Sequence, residues 1–598
     1  MSDISNRRNF LVTTASASAA AVVASSLAAC GGSDATPSTF NYGVASGDPL
    51  ADRVILWTHA KIPGSTNAVG LSWQVASDST FATVLKSGRL VASEATGFTA
   101  KVDVTGLTSG ASYFYRFTDD AGVVSTVGTT RTLPTSSATS VKLAVFSCTL
   151  FSAGYFNTYD AAAKSDAQYA IHLGDYIYEY GSDPAKFGNT NVDTSITAVT
   201  LNRVTSPAND IVSLSDYRTR YALYKSDLNL QALHAKMPWI TIWDDHEFAN
   251  NAYMTGAENH NPATQGDWTT RKNNAAQAYH EWLPIRTPDT ANLLKIYRSF
   301  DFGNLLSLHM LDTRIEGRVQ QYDNFGDTDG GVTRYLTAMA MGTDAARTMI
   351  SATQQSWLTD KLTASTATWQ FLGNQDIMAR MWFPASVLSA QATAIAAPTQ
   401  VNGQAVMTAI SDYLTAKGAR YGATLGGPAI TQPQADLLNT NLNPTIPYNL
   451  DAWDGYPSNR EAVLQTILGQ GKKLVALSGD SHNAWFTNLT TLNGTKVGVE
   501  FAGSSVTSPG FESAGLGGLA SSLDGTAVAG PTVFGSGLGL VDDLNYSNTT
   551  QRGYLLMTVT AAAVKGEYVF MSTVTSKTYT PTIGKTITVT TTGAVTYA

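Results

Sequence analysis

Four short clusters in this chain hold residue types that bind metal ions, and each cluster follows an apolar run. A thiol, carboxylates, a phenol and imidazoles are the protein groups that ligate iron, calcium, manganese and zinc. If the chain folds so that the clusters meet, they form a centre for more than one ion. The candidate ligands are Cys148, Asp175, Tyr178, Asp244, Asp245, Asn250, Asp480 and His482.

Tyr178 restricts the choice of metal most strongly. A phenol has a pKa near ~10, so it ligates only a strongly acidic cation, and Fe³⁺ is the common ion that suits a phenolate. Asp175 and Tyr178 lie three residues apart directly after an apolar run. The alternative interpretation is a Gly174-Asp175 turn followed by a core tyrosine.

The segment Asp244–Glu247 places three carboxylates and His246 in a row after an apolar run that ends in Trp243. Carboxylates this close repel one another unless cations neutralise them. Asn250 would add a neutral oxygen ligand. A solvated acidic turn is the alternative, but the apolar run favours a functional site.

Asp480 and His482 lie two residues apart in another loop, so both can face one ion, and histidine is the commonest nitrogen ligand. Three further histidines stand within predicted strands or near a helix end. We expect these three to be core residues: His172, His234 and His309.

Arg271 and Arg314 are candidates for binding an anionic substrate, because guanidinium holds phosphate in a bidentate manner. A structural ion pair is the alternative for each. The sequence contains no Gly-x-Ser-x-Gly nucleophile motif, no Walker loop and no dinucleotide fingerprint.

The chain has only two cysteines, Cys30 and Cys148. Cys30 lies in an N-terminal segment that is similar to a lipoprotein export signal, as described below. If Cys30 carries a lipid, Cys148 has no disulfide partner. An unpaired thiol in an oxidising compartment is a liability unless it is buried or held by a metal. A buried core cysteine is the alternative, but the neighbouring clusters favour a ligand.

Six apolar runs of four to seven residues precede the polar groups and predict buried strands, at 142–146, 169–173, 239–243, 305–311, 369–372 and 473–477. Helices are predicted between them, at 153–166, 216–236, 270–283, 354–364 and 457–470. This alternation is typical of an α/β domain, whose ligands bind beyond the carboxyl ends of the strands.

The length of 598 residues predicts more than one domain. Short alternating runs at 40–135 predict a small all-β domain, and the segment 107–116 is similar to the tyrosine corner of fibronectin-type sandwiches. The large domain covers 141–598 and carries two insertions of distinct composition, at 318–350 and 384–450. A Gly/Ser-rich stretch at 500–545 predicts a mobile loop near the site.

The N-terminus predicts export. Residues 6–11 are similar to a twin-arginine signal, and Leu27-Ala-Ala-Cys30 is similar to a bacterial lipobox. We therefore expect a signal at 1–30, a tether at 31–40, the twin-arginine machinery as a partner, and a location in the periplasm or cell envelope. A lipid on Cys30 would be the membrane attachment, and a plain cleaved signal is the alternative.

The composition is 43% apolar, 10% aromatic and only 14% charged, with a net charge of −8. Binding of nucleic acid requires clustered Lys and Arg to neutralise phosphates. The chain has no such cluster, so we expect no nucleic-acid binding surface.

In this combination and order, the groups resemble the PhoD-like alkaline phosphatase/phosphodiesterase family of metallophosphoesterases, which includes a phospholipase D branch. The similarity covers most of the chain. It implies an α/β fold: a four-layer α/β/β/α sandwich, preceded by a small fibronectin-like all-β domain. The matching segments are 146–148, 174–178, 243–247, 373–375 and 478–482.

The resemblance also implies roles for single residues. Cys148 stands in place of the usual first aspartate ligand, Asp175 bridges the metals, and Tyr178 binds iron. Asp245 and Asp480 replace an Asn and a His of the superfamily motifs. The implied cofactors are Fe³⁺ with one or two Ca²⁺, and Mn²⁺ or Zn²⁺ as alternatives, because oxygen ligands favour hard cations.

The expected function is metal-dependent hydrolysis of phosphate monoesters or diesters, of small molecules or lipids, by a metal-activated hydroxide that attacks phosphorus. His246 would assist the leaving group, and Arg271 or Arg314 would stabilise the phosphate. One alternative is a phospholipase D-type phosphodiesterase, and another is a different hydrolase on the same metals. A third is an exported binding or adhesion lipoprotein with a structural metal site.

Overall fold

The computed structural model describes residues 36–135, 138–182, 198–322 and 346–598, together with Leu336. The predicted signal and most of the 318–350 insertion lie outside the described residues. Within the described ranges, no helix combines the length and the apolar character needed to cross a bilayer.

Two large β-sheets dominate the structure, and a four-stranded and a two-stranded sheet accompany them. The strands are β1 (Val44–Gly47), β2 (Arg53–His59), β3 (Val69–Ala76), β4 (Val84–Ala92), β5 (Thr99–Thr105), β6 (Ser112–Asp119), β7 (Gly128–Arg131), β8 (Ser140–Phe146), β9 (Tyr169–His172), β10 (Trp239–Thr241), β11 (Arg298–Phe302), β12 (Leu306–Met310), β13 (Trp369–Gly373), β14 (Trp382–Pro384), β15 (Thr445–Pro447), β16 (Leu474–Ser478), β17 (Ala484–Thr490), β18 (Lys496–Ala502), β19 (Leu544–Asn548), β20 (Gly553–Thr560), β21 (Ala563–Met571), β22 (Pro581–Thr590) and β23 (Val595–Tyr597). All six predicted strands are present, as β8, β9, β10, β12, β13 and β16.

The α-helices of the described residues are α1 (Asn157–Ala163), α2 (Leu214–Lys225), α3 (Leu228–Lys236), α4 (Pro262–Gln265), α5 (Trp268–Trp282), α6 (Ala352–Ala364), α7 (Ala385–Ala396), α8 (Gln400–Thr424), α9 (Gln432–Leu437), α10 (Pro457–Gly469), α11 (Ala520–Asp524) and α12 (Thr526–Ala529). The single helix predicted at 216–236 is two helices. Asp227 causes the break, because its carboxylate accepts from the backbone N–H groups of Asn229 and Leu230 and so starts a new helix.

The ten-stranded sheet has the order β23-β22-β21-β20-β8-β9-β10-β1-β2-β5, and the seven-stranded sheet the order β11-β12-β13-β16-β18-β17-β19. Their inner faces form one core, in which Val145 and Leu555 of the first sheet join Val475 and Phe501 of the second. Helices α6 and α10 pack against the other face of the second sheet, in a second core that includes Leu372 and Ala476. This is the predicted four-layer arrangement.

The N-terminal region is all-β, as predicted, but it is not a detached module. Strands β1, β2 and β5 extend the ten-stranded sheet, because β1 pairs with β10 between Gly47 and Trp239. Strands β3, β4, β6 and β7 form the separate sheet. The Tyr113 hydroxyl accepts from the Thr108 N–H (2.8 Å) and donates to the Thr108 carbonyl (3.1 Å), which is the predicted tyrosine corner.

Residues 384–450 form helices α7 to α9, and β14 and β15 pair at their base. Lys417 of α8 donates to the carbonyl of Gly539 (2.6 Å) and to Asp542 (2.5 Å), which ties this excursion to the 537–542 segment. The 384–450 insertion therefore packs on the large domain, and the order of the strands in the two large sheets is not interrupted by it.

Strands β8, β9 and β10 run parallel to one another, as do β12, β13 and β16. Their carboxyl ends therefore meet along one edge of each sheet. The residues that follow these six strands are the ones that the sequence singled out for chemistry.

Candidate metal centre

The fold brings the predicted ligands together around a cavity of about 180 Å³. Its lining includes Asp175, Tyr178, Asp245, Asn250, Asp480 and His482. Three groups of candidate ligands have their nitrogen, oxygen or sulfur atoms within 4.8 Å of one another, namely Cys148/Asp175/His482, Asp175/Asp245/His246 and Asp244/Asp376/Asp480. Asp175 belongs to two of the groups, so it stands between two possible ion positions.

Backbone strain accompanies this convergence. Cys148, Asp175, Asp480 and His482 all have positive φ angles, of 59°, 56°, 57° and 61°. Residues with a Cβ adopt this left-handed region rarely and at a cost of order 1–3 kcal/mol each, mostly at functional sites. Gly174 precedes Asp175 with φ 111°, and a Cβ there would lie 2.3 Å from the Cβ of Asp244, so only glycine fits.

Tyr178 bonds to two members of the first group, Asp175 and His482. Its hydroxyl lies 3.0 Å from Asp175 Oδ2, 3.1 Å from His482 Nε2 and 2.7 Å from Ser508 Oγ. His482 Nδ1 lies 2.8 Å from the Pro509 carbonyl. Because a carbonyl only accepts, Nδ1 carries the proton and Nε2 is left as an acceptor. Burial lowers the pKa of His482 to about 4, so the ring is neutral and ready to ligate.

His246 stands in the second group and has a different protonation state. Its Nδ1 lies 2.6 Å from Glu179 Oε2, and its ring centroid lies 4.1 Å from that of Tyr178. Burial alone would lower the pKa of His246, but the carboxylates of Asp245, Asp175 and Glu179 raise it well above its usual value. In the metal-free protein these carboxylates therefore favour the protonated form of His246.

Arg314 occupies a position that the sequence did not predict. Its guanidinium is fully buried and bonds to Asp244 (2.5 Å), Asp451 (2.6 Å), Asp376 (2.8 Å) and Asp480 (2.9 Å). Each of its three nitrogens donates to a carboxylate, and the residue is not part of the cavity lining. We predicted a substrate-binding role, and the structure instead favours the alternative of a structural ion pair.

Arg271 is likewise placed away from the cavity lining. Its guanidinium donates to the Asn259 carbonyl (2.8 Å), the Tyr217 hydroxyl (3.2 Å) and Gln265 Oε1 (3.2 Å). The residue is fully buried in α5 and anchors the segment 259–265. The predicted contact with substrate is therefore not supported, because helix packing turns this side chain toward the loop.

The residues present fit bound cations. Asp244 Oδ2 and Asp245 Oδ1 are buried without a hydrogen-bond partner. Burial raises the pKa of Asp175, Asp244 and Asp480, and nearby carboxylates raise it further. Among the described residues, the two arginines Arg314 and Arg318, together with His246, face six buried aspartates in this cluster, which are Asp175, Asp244, Asp245, Asp376, Asp451 and Asp480. Unpartnered oxygens and excess negative charge are both relieved by metal ions.

Sequence reasoning missed the groups that position these ligands. Glu247 is fully buried and accepts from the backbone N–H groups of Asp244 (2.6 Å), Asp175 (3.0 Å) and Tyr176 (2.5 Å). Asp376 directly follows the matching segment 373–375, and Asp451 lies between β15 and α10. Glu247 and Asp376 lie directly beside residue groups that follow predicted strands, and this position in the sequence could have indicated their role in the site.

The remaining predictions about neighbouring residues agree with the structure. His172, His234 and His309 are buried in the core. The stretch 500–545 lies near the site, as expected, since Ser508 and Pro509 line the cavity. It is built of short helical turns and the start of β19.

We expect metal binding to strengthen as pH rises. Burial raises the pKa of Cys148 and Tyr178 well above their usual values in the metal-free protein, so both hold protons at neutral pH. Metal ligation must displace these protons, and each proton released makes the apparent affinity rise about tenfold per pH unit. Competition with a chelator at pH 6, 7, 8 and 9 measures the slope. An affinity that is flat or falls with pH would contradict it.

Comparisons with known proteins agree with this geometry. Residues 143–568 match the family model described as PhoD-like phosphatase, and residues 24–134 match that of the PhoD-like phosphatase N-terminal domain. Alkaline phosphatase D of Bacillus subtilis (strain 168) is 32% identical in an alignment of 487 residues that covers 79% of this chain and 70% of the relative. A solved structure of PhoD has a TM-score of 0.70 and 28% identity, over 95% of this chain and 93% of that one.

Proposed function

This chain belongs to the PhoD-like phosphatase family and is a phosphoester hydrolase. We propose that the cavity lined by Asp175, Tyr178 and His482 is its active site. We also propose that hydrolysis there depends on bound metal ions. The observation that carries the proposal is that ligand atoms of Cys148, Asp175 and His482 lie within 4.8 Å of one another. The Tyr178 hydroxyl lies 3.0 Å from Asp175, and buried carboxylate oxygens without partners are close by. Family membership favours this enzyme over the alternative of a binding lipoprotein.

The donor types suggest which ions the site would hold. Cys148, Tyr178 and Asp175 offer a thiolate, a phenolate and a carboxylate, a set that suits Fe³⁺. Asp245, Asp480 and Asn250 offer oxygens, which suit Ca²⁺ or Mn²⁺ better than Zn²⁺. Bound ions of this kind would lower the pKa of water from 15.7 toward ~7 and would offset the negative charge of the phosphate.

The chain's own residues supply the rest of the chemistry. His246 lines the cavity and is oriented by Glu179, whose Oε2 lies 2.6 Å from its Nδ1, and we propose that the protonated ring donates its proton to the leaving alkoxide. Ser508 and His482 hold the Tyr178 oxygen in place. Leu150, Pro509 and the Tyr178 ring wall the cavity and limit the entry of water.

The experiment that tests the proposal combines a spectrum with removal of metal. We expect native protein to show a visible phenolate-to-iron absorption band, and Tyr178→Phe to lose it together with most turnover. Tyr176→Phe is the matched control, because Tyr176 is equally buried but bonds to His234 (2.9 Å) and should leave the band in place.

Exhaustive chelation is expected to remove hydrolysis of phosphate esters, and addition of the metals to restore it. Cys148→Ala should weaken retention of iron in the same assay. Full turnover in chelated protein, or in Cys148→Ala protein without iron, would refute the proposal.

We further propose that the protein is exported through the signal at 1–30, with a lipid on Cys30 as its anchor. The support is the sequence pattern of residues 6–11 and 27–30. Mass spectrometry of the exported protein tests this, because lipidation at Cys30 and plain cleavage give different masses.

A further inference from the structure

Glu258 lies beside two residues of the cavity lining, Asn250 and Asn251. Its Oε2 accepts hydrogen bonds from the side-chain amide of Asn250 (3.1 Å) and from that of Asn251 (2.5 Å). The residue is exposed. Among the residues that the structure describes, no Lys or Arg lies within ion-pair distance of it.

The loop that carries Glu258 is held at both ends. The Asn259 N–H donates to the Asn250 carbonyl (3.3 Å), which folds the loop back on itself. Arg271 donates to the Asn259 carbonyl (2.8 Å), and the Tyr217 hydroxyl donates to the Phe248 carbonyl (2.5 Å). The position of the Glu258 carboxylate is therefore set by the fold.

The cavity has little positive charge of its own to offset this carboxylate. Within the described part of the chain, its lining includes no Lys or Arg. The nearby Arg314 and Arg318 are buried among aspartates. An entering phosphate ester would thus be attracted by bound metals and repelled by Glu258, which bonds to two residues of the cavity lining.

The strength of that repulsion depends on the charge of the ester. A phosphate monoester loses its second proton near pH ~6 and is a dianion at pH 8, whereas a diester is a monoanion. Coulomb repulsion from one carboxylate is about twice as large for the dianion. We infer that Glu258 is a specificity-determining residue that disfavours dianionic monoesters relative to monoanionic diesters; this inference rests on the proposed function.

The test compares 4-nitrophenyl phosphate with bis(4-nitrophenyl) phosphate at pH 8 and low ionic strength, with metal-loaded full-length protein. Glu258→Gln removes the charge but keeps an oxygen that accepts from the asparagine amides. We expect the ratio of monoester to diester kcat/KM to rise roughly three- to tenfold, mainly through a lower KM for the monoester. Near 0.5 M salt the rise should shrink, because exposed charges are screened.

Two controls separate charge from geometry. Glu258→Asp keeps the charge and should leave the ratio near its wild-type value. Glu461→Gln removes an acid of α10 that bonds to the Leu492 N–H, away from the cavity, and should leave both activities unchanged.

An unchanged ratio in Glu258→Gln, or an equal change in Glu258→Asp, overturns the role of Glu258 while hydrolysis itself stands. A change that is the same at low and at high salt overturns it as well. If wild-type protein hydrolyses neither ester, the proposed function and this inference fall together.

Discussion

Replacing Asp175 by asparagine is expected to lower kcat/KM for phosphate esters by roughly 10³-fold or more, which is about 4 kcal/mol of transition-state stabilisation. Asp175 belongs to two of the three candidate ligand groups, so one substitution weakens both ion positions. Its carboxylate also accepts from the Tyr178 hydroxyl (3.0 Å) and from the backbone N–H of His246 (3.3 Å). Steady-state kinetics and metal analysis of the same preparation measure the two effects.

The metal-free protein should respond in the opposite sense. Burial and the neighbouring carboxylates raise the pKa of Asp175, which shows that its charge is unfavourable there without cations. Asn at this position removes the charge, so we expect the metal-free variant to unfold at the same or a higher denaturant concentration than the metal-free wild type. Loss of activity with normal stability would then reflect the site itself.

Asp454→Asn is the matched control. Asp454 is also a buried aspartate with a raised pKa, about 6, and burial is the main cause. It accepts from the Met381 N–H (2.9 Å) and the Trp382 indole (2.9 Å) and lies outside the ligand groups. Full metal content and turnover in Asp175→Asn, or an equal loss in Asp454→Asn, would contradict the assignment.

The sequence was sufficient to predict the strands that carry the site. Short apolar runs bounded by polar groups indicate buried strands, so the positions of β8, β9 and β16 could be predicted from the local sequence pattern. The rule that ligands bind beyond the carboxyl ends of strands then predicted that Cys148 and Asp175 would meet. Both steps need only information within a few residues of each motif.

The hydrogen-bond partners of Arg271 and Arg314 could not be predicted in this way, because they depend on contacts between segments that are distant in the sequence. Arg314 meets Asp244, which is 70 residues away in the chain, and Asp480, which is 166 residues away. A guanidinium near a phosphate site has two physical uses, to bind substrate or to neutralise acids. Local sequence does not distinguish them, and only the surplus of buried aspartates around Arg314 decides for neutralisation.

Backbone strain was equally invisible in the sequence. Glycine is the usual marker of a positive φ angle, and it marks Gly174. Cys148, Asp175 and His482 adopt the same left-handed region without that marker. Their side chains are required for chemistry, so glycine is not an option there, and the surrounding structure must hold the strain.

Glu247→Ala is expected to lower the free energy of unfolding by at least about 3 kcal/mol and to abolish metal retention. Glu247 is fully buried, and its carboxylate accepts from the backbone N–H groups of Asp244, Asp175, Tyr176 and Ile177. Alanine would leave these donors buried without partners and would release the turns after β9 and β10 from each other. Urea unfolding and metal analysis measure the two losses.

A comparison with Asp119→Ala separates general destabilisation from damage to the site. Asp119 accepts from the Ser38 N–H (2.8 Å) and the Val123 N–H (2.7 Å) in the N-terminal sheet, far from the ligands in sequence. Its loss should lower stability but leave metal content intact, whereas Glu247→Ala lowers both. If Glu247→Ala protein keeps its metal, the left-handed turns at Asp175 and Asp480 position the ligands without the hydrogen bonds of Glu247. The strands that precede these turns would then be what stabilises their positive φ angles.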